Sequence, residues 1–385
     1  MKALLVIPRW SEHESLTPPS GRPHLDLLLE CLGFAPLTVM ELDLDEPFDP
    51  TQVPDKYKLI LVQDQGLGGR LRRSLLSNLG LSLGLDGDDS DRLRVLGART
   101  LFDKNGDDAG FAIHRRGRIV AYFERTIWGL RKSFFKVLSA LMEEEKALRR
   151  NRNATCWMIE GAGDPLELAH VLDNDGESEF SLCRVRYLPD GDSGLLIPAI
   201  MGEEFRERLK DRLGNRVYSH TPRSLEEWVG ERLTKSGLTV AVAESCTAGL
   251  ITARLASVPG SSAYLHTGFV TYSNEAKHNC LDVTQALLEN CGAVSAEVAL
   301  AMARGALRAA DSDLAVSVTG IAGPGGGSEE KPVGTVFLAV VARDGGSLTH
   351  RGFYSGSRDR IRLQSSQTAL HLLRRMVVDQ GSGVE

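Results

Sequence analysis

From position 222 onward the sequence alternates short apolar runs, each long enough for one buried strand, with stretches whose apolar residues recur every three or four positions. This alternation restricts the fold more than any other feature, because strands and helices taken in turn bury their apolar faces together only as packed layers. Strands are expected over 238–243, 266–272, 314–318 and 333–341. Ser224 and Glu227 make a capping-box pair ahead of Leu225, Val229 and Leu233 on one helical face, and Gly237 supplies the stop. Ile251, Leu255 and Val258 line a second helix that Pro259 and Gly260 terminate. Val298, Ala301, Met302 and Gly305 stripe a third, and Ala369, Leu372, Leu373 and Met376 mark a closing one.

A chain of 385 residues has room for two or three domains of roughly 150 residues each. Upstream, 2–7 and 58–63 read as core strands, 24–31 and 130–142 as helices, and 110–122 as a hairpin turning at Arg116 and Gly117. These make a first α/β domain over 1–150. The charged run 143–152 reads as a solvated helix end or linker. Next come a strand at 156–159, a helix at 164–172, strands at 181–187 and 195–200, a helix at 203–213 and a last strand. That is the split βαβ order of a small ferredoxin-like or KH-like domain over 151–220. A third, layered α/β domain occupies 221–385.

Hydrophobic residues make up 42% and charged residues 25% of the chain, a balance that folds rather than remaining disordered. A net charge of −6 leaves no excess of cations to neutralise a phosphate backbone, so nucleic acid is disfavoured as a partner. No apolar stretch approaches a membrane span, and the one at 3–7 is too short for a signal peptide, so a cytoplasmic location is expected. Cys31, Cys156, Cys183, Cys246, Cys280 and Cys291 show no C-x-x-C spacing, so they read as reduced thiols with neither zinc nor disulfides. No metal and no cofactor are expected.

Ligands of open α/β sheets collect beyond the carboxyl ends of the strands, which makes the loops leaving those ends the place to look for chemistry. The first such loop is Glu244, Ser245, Cys246, Thr247, Ala248 and Gly249. Ser245, near the N–H groups of a helix start, is a candidate nucleophile, with Cys246 as a rival; the ordinary reading of these residue types alone is that Ser245 or Thr247 caps the helix. The second loop runs from Thr271 and Tyr272 into Ser273, Asn274 and Lys277. A lysine one turn into a helix beginning at Ser273 or Asn274 can aim its amine back over the strand ends, where desolvation lowers its pKa toward that of a general base. An isolated lysine is otherwise a solvated surface group. The third loop carries Thr319, Gly320, Gly323, Gly325 and further glycines, which either let backbone N–H groups approach a ligand or form a flexible hairpin. It is neither a P-loop nor a dinucleotide fingerprint. Arg358, Arg360 and Arg362 precede the closing helix, placed either to grip a substrate phosphate or to pair with carboxylates across a subunit contact.

Taken together, 243–249, 258–262, 272–277, 292–295, 318–327 and 331–334 resemble, in order and spacing, the C-terminal nicotinamide-nucleotide amidohydrolase domain of the CinA (competence/damage-inducible) family, over about 222 to 378. The resemblance implies hydrolysis of nicotinamide mononucleotide to nicotinic acid mononucleotide and ammonia in pyridine-nucleotide recycling. It implies Ser245 as nucleophile, Lys277 as its base and Tyr272 as a third member. It makes Glu244, Cys246, Thr247, Thr319, Gly320, Gly323, Gly325 and Arg358 candidates to hold the substrate. Ala248 stands where many relatives carry glycine, a change expected to leave the turn intact. Apolar and arginine content near the closing helix fits a homodimer.

The first domain is similar to the molybdopterin-binding-like domain that opens family members and that in some relatives hydrolyses ADP-ribose with a metal. Its polar kit has changed: Pro8, Arg9 and Trp10, then Gln65 to Arg70, then Phe123 to Trp128 stand where the family places its ligand-binding elements. Arg70 and neighbouring bases repel a cation bridging a diphosphate. The middle domain matches the family's KH-type linker in placement but lacks a Gly-x-x-Gly nucleic-acid clamp. Two other readings compete with the amidase: an interaction protein of competence or DNA damage, and an ADP-ribose pyrophosphatase in the first domain. The missing acidic residues predict that a metal-dependent assay of residues 1–150 gives no turnover of ADP-ribose, and robust hydrolysis would contradict this.

Overall fold

The computed structural model describes residues 2–8, 29–31, 34, 37–42, 48–63, 70–86, 89–102, 108–115, 117–123, 137–138, 140–141, 154–161, 183–188 and 190–380. They divide into two compact units, Met1–Cys156 with Ile197–Gly202, and Trp157–Leu196 with Glu203–Glu385. The loop at 66–69, the helix expected at 164–172, the charged run 143–152 and most of the altered polar kit of the first domain lie outside the described residues, as does the Arg70 side chain. No described helix is long and apolar enough to cross a membrane.

In the first unit the strands are β1 (Lys2–Pro8), β2 (Leu37–Leu42), β3 (Tyr57–Gln63), β4 (Leu83–Asp86), β5 (Asp89–Val95), β6 (Arg99–Phe102), β7 (Asp108–Arg115) and β8 (Arg118–Phe123), and helix α1 spans Arg70–Leu79. Six strands form a sheet in the order β2-β1-β3-β8-β7-β6, while β4 and β5 pair separately. Side chains of a strand alternate between faces, and here both faces are covered. Ala3, Leu5, Leu59, Leu61, Ile119 and Ala121 enter one core, whereas Leu4, Val6, Ile60, Val62, Val120 and Tyr122 enter the other. This is why those runs are continuously apolar. The expected hairpin is present, with Arg115 opposite Arg118. The described residues of the helices expected at 24–31 and 130–142 are helical.

The four-stranded sheet of the middle segment lies largely in the second unit. It contains β9 (Ala154–Ile159), β10 (Arg184–Tyr187), β11 (Ser193–Pro198) and β12 (Val217–Ser219), with α2 at Glu203–Leu213. The order β10-β11-β9-β12 puts the first and third strands side by side at the centre, the arrangement a split βαβ unit produces.

The remaining elements are α3 (Leu225–Ser236), β13 (Val240–Glu244), α4 (Leu250–Ala256), β14 (Leu265–Val270), α5 (Asn274–Leu281), α6 (Gln285–Cys291), α7 (Ala296–Ala310), β15 (Leu314–Gly320), β16 (Thr335–Ala342), β17 (Ser347–Phe353) and α8 (Arg358–Gln380). Helix α3 starts on the expected capping box, both hydrogen bonds being made between Ser224 and Glu227, and ends at Gly237 with φ 64°. Helix α4 is shorter than expected and leaves out Val258. The sheet runs β14-β13-β15-β16-β17. The first three strands are parallel and the last two antiparallel. Ala241, Ala243, Ala315, Ala339 and Val341 pack on Val298, Met302 and Ala306 of α7 on one side, and α8, with α3 and α4, covers the other.

Gly305 of α7 is where α5 comes closest: a Cβ there would stand 2.1 Å from the carbonyl oxygen of Leu281 at the end of α5. Gly305→Ala must therefore push α5 away, and overpacking of this kind costs about 1–3 kcal/mol. Urea denaturation is expected to show that loss, together with reduced function of any group α5 positions.

Candidate functional site

Strand β13 is flanked by β14 on one side and β15 on the other, so the chain order reverses at β13, the position at which open α/β sheets bind ligands in a crevice beyond the ends of their parallel strands. The three chemically loaded loops leave from this edge.

Glu244 ends β13 and Ser245 follows it, and their side chains leave opposite faces, as successive strand residues do. The Glu244 carboxylate is fully buried. It accepts hydrogen bonds from the backbone N–H of Ile251 at 3.1 Å and of Thr252 at 2.8 Å, and from the Thr252 hydroxyl at 2.7 Å. The N-cap residue of α4, Gly249, offers no side chain, so the strand supplies the cap and a negative charge complements the helix N-terminus. Glu244, expected to touch substrate, thus anchors α4. Ala248 and Gly249 both turn through positive φ, 50° and 91°, to make the tight connection.

Ser245 does not cap the helix either. Its N–H donates to the Val318 carbonyl at 3.0 Å, extending the β13–β15 ladder by one rung, and its Oγ lies 3.1 Å from Nζ of Lys277. Helix α5 is started by the Ser273 hydroxyl, which accepts from the N–H of Ala276. Lys277 then falls one turn in and reaches back to the strand ends. Its side chain is only 1% exposed, unusual for a lysine. Nζ donates to the carbonyls of Thr271 at 2.9 Å and Tyr272 at 3.3 Å. Among the described residues no carboxylate pairs with it in an ion bridge. Burial holds its pKa below the ordinary lysine value. A neutral amine has two N–H bonds and one lone pair; the two carbonyls take the N–H bonds and the lone pair is left for the Ser245 hydroxyl proton.

Cys246 is buried, and burial above all, with the Glu244 charge adding to it, pushes its thiol up to about 12 against the opposing influence of Lys277 and Arg358. It stays a thiol at neutral pH and is no rival to Ser245. Tyr272 presents an exposed ring at the crevice. Its hydroxyl accepts from Nη2 of Arg358 at 2.9 Å, so the part of Tyr272 that meets Lys277 is its carbonyl. Nη1 of Arg358 donates to the Gly323 carbonyl at 2.6 Å. The Thr319 hydroxyl donates to the Ala293 carbonyl at 2.7 Å, and a Cβ on Gly320 would stand 2.9 Å from the Thr335 carbonyl oxygen. Both therefore serve the packing of the sheet's edge. Gly323 has φ 78° and sits against Val333, Gly325 faces open space, and Thr247 is buried with its hydroxyl unpartnered.

The model of the CinA C-terminal domain family matches residues 222–377. A putative competence-damage inducible protein of Caldicellulosiruptor bescii is 36% identical over 291 residues, 74% of this chain and 70% of that protein. The chain belongs to the CinA family. A CinA-like protein of Geobacter metallireducens is 45% identical over 52% of this chain and 48% of its own length, and one of Citrifermentans bemidjiense 52% identical over 58% and 52%. The chain spans about half the length of these curated CinA relatives. Among solved structures, the competence/damage inducible protein CihA of Agrobacterium tumefaciens is 47% identical and covers 40% of this chain and 96% of that one, with a TM-score of 0.39.

Sequence reasoning missed the Glu244 cap, the two carbonyls on Lys277, and the role of Arg362, whose Nη2 donates to the Thr247 carbonyl at 2.9 Å. Only the last had a signal, the arginine one helical turn beyond Arg358. The contrast in burial predicts thiol chemistry: at pH 8 a soluble maleimide is expected to label exposed Cys280 and to spare Cys246 until the protein is unfolded, as peptide mapping by mass spectrometry would register.

Proposed function

We propose that the C-terminal domain is an amidohydrolase that converts nicotinamide mononucleotide and water to nicotinic acid mononucleotide and ammonia. The observation that carries the reading is the buried Lys277 amine, 3.1 Å from the Ser245 hydroxyl and donating to the Thr271 and Tyr272 carbonyls at 2.9 and 3.3 Å. Membership of the CinA family supports the choice of substrate.

In the first half-reaction Nζ of Lys277 takes the Ser245 proton as Oγ bonds to the carboxamide carbon, and the N–H groups of Cys246 and Thr247 stabilise the oxyanion. The C–N bond then breaks, the proton on Lys277 passes to the departing nitrogen, and ammonia leaves an acyl ester on Ser245. In the second half-reaction Lys277 deprotonates a water that attacks the ester, and the returning proton restores the Ser245 hydroxyl. The Thr271 and Tyr272 carbonyls assist throughout, because they also accept from the ammonium formed in each half-reaction. Arg358, exposed beyond the strand ends, is the residue we assign to the nucleotide's phosphate or ribose.

Ammonia release from nicotinamide mononucleotide tests the reading. Ser245→Ala and Lys277→Arg are each expected to lower kcat by more than about 1,000-fold, since arginine reaches the same place but stays protonated. The rate is expected to fall with decreasing pH, with an apparent pKa below the ordinary lysine value of 10.5, because protonating Nζ removes the base. Full activity in either variant overturns the assignment.

A further inference from the structure

Helix α8 carries the apolar residues that marked it in the sequence, yet Gln364, Ser365, Ser366, Gln367, His371 and Arg374 on it are buried too. Buried polar groups are costly unless hydrogen-bonded, so their partners show what the helix is built to hold. Nη1 of Arg254, on α4, donates to the Ser366 hydroxyl at 2.7 Å, and its Nη2 donates to Gln367 and, at 2.8 Å, to Glu226 of α3. Gln367 in turn donates from Nε2 to Oδ2 of Asp192 at 2.5 Å, and Nε2 of His371 lies 2.9 Å from Oδ1 of the same carboxylate. Nη2 of Arg374 donates to Glu160 at 2.7 Å and to the Asn215 carbonyl at 2.9 Å. The middle segment therefore presents two carboxylates to the helix, and Asp192 is 1% exposed.

The first turns of the same helix hold the site. Arg358 grips the Gly323 carbonyl and the Tyr272 hydroxyl, and Arg362 grips the Thr247 carbonyl, so all three loops of the crevice are tied to α8. Arg362 and Gln367 are only about 7.5 Å apart along the axis at 1.5 Å per residue. Whatever fixes the rotation and axial position of α8 at Gln367 and His371 fixes both arginines.

We propose that Asp192 is a positioning residue for the site: through Gln367 and His371 it sets α8 so that Arg358 and Arg362 hold the three loops in working register. The effect on catalysis rests on the amidase reading above. Burial alone would raise the Asp192 carboxyl, but His371, the N–H of Gly161 and the Gln367 amide outweigh it and keep the group ionised. Asn at this position keeps the shape and loses the charge that orders both partners.

The test uses the full chain with Asp192→Asn, Arg362→Lys, the double variant, and His371→Gln in case Asp192→Asn does not fold. In Asp192→Asn, kcat/KM for nicotinamide mononucleotide is expected to fall about tenfold, with the folded state retained by circular dichroism. The double variant should lose less than the product of the single losses, because a displaced helix no longer lets Arg362 act. Hydrogen exchange is expected to quicken at 245–249 and 321–327 while β16 is unchanged, a readout that needs no substrate. Unchanged exchange at those loops, wild-type kinetics, or multiplicative losses overturn the proposal. A wild-type protein that releases no ammonia, yet whose loops loosen in Asp192→Asn, overturns the amidase reading and leaves the positioning role standing.

Discussion

Everything at the crevice depends on a lysine amine held out of water and, among the described residues, in no ion pair with a carboxylate. Desolvating an ammonium costs several kcal/mol even after relaxation, and the two carbonyls on Nζ offset only part of it, so burial favours the neutral amine. The rest of the domain keeps that arrangement fixed. Thr271 donates its N–H to the Glu244 carbonyl, which aligns the end of β14 with that of β13. Ser273 starts α5 so that the fourth helical residue is Lys277, and Gly305 lets the far end of α5 sit directly against α7.

The serine loop is held by a different kind of force. Glu244 fastens α4 to the strand end, Val318 fixes the backbone of Ser245, and Arg362 takes the carbonyl of Thr247. Left-handed geometry at a non-glycine residue costs roughly 1–2 kcal/mol, and Ala248 bears that strain inside the same loop. Strain at a nucleophile loop persists where its surroundings over-determine the backbone, and here three separate elements do so. Behind them, Arg254, Glu226, Gln367 and Asp192 form a buried chain of charged and amide groups that joins α3, α4, α8 and the middle sheet. Breaking one member of such a chain leaves another charge buried and unpaired, which makes each link costly to remove.

Much of this was legible along the chain. The capping box at Ser224, the stop at Gly237, the β7–β8 hairpin and the strands around β13 and β15 follow from local chemistry that tertiary packing did not override. Strand β17 was not legible, because Ser347–Phe353 is an edge strand with most side chains in solvent and hence no apolar run to mark it. On residue type alone Ser245 or Thr247 reads more readily as a helix cap than as a nucleophile, since a hydroxyl residue before a helix ordinarily is one. The cap came instead from Glu244, whose contacts with Ile251 and Thr252 lie on the far side of a turn. Thr319 and Gly320 read as ligand contacts because loop composition does not distinguish a residue facing a crevice from one packed into the adjoining hairpin.

By itself the sequence determined the layered α/β class, the strand ends from which the loops leave, and the residue types available there, because periodicity, caps and turn residues act over a few positions. Only the tertiary structure decided that Lys277 is dry, that Cys246 remains a thiol, that the Tyr272 hydroxyl belongs to Arg358, and that α8 ties the middle segment to the loops of the crevice. Those facts depend on burial and on contacts between residues 86 to 179 positions apart. Solvent exclusion is a property of the assembled layers, and no single segment contains it.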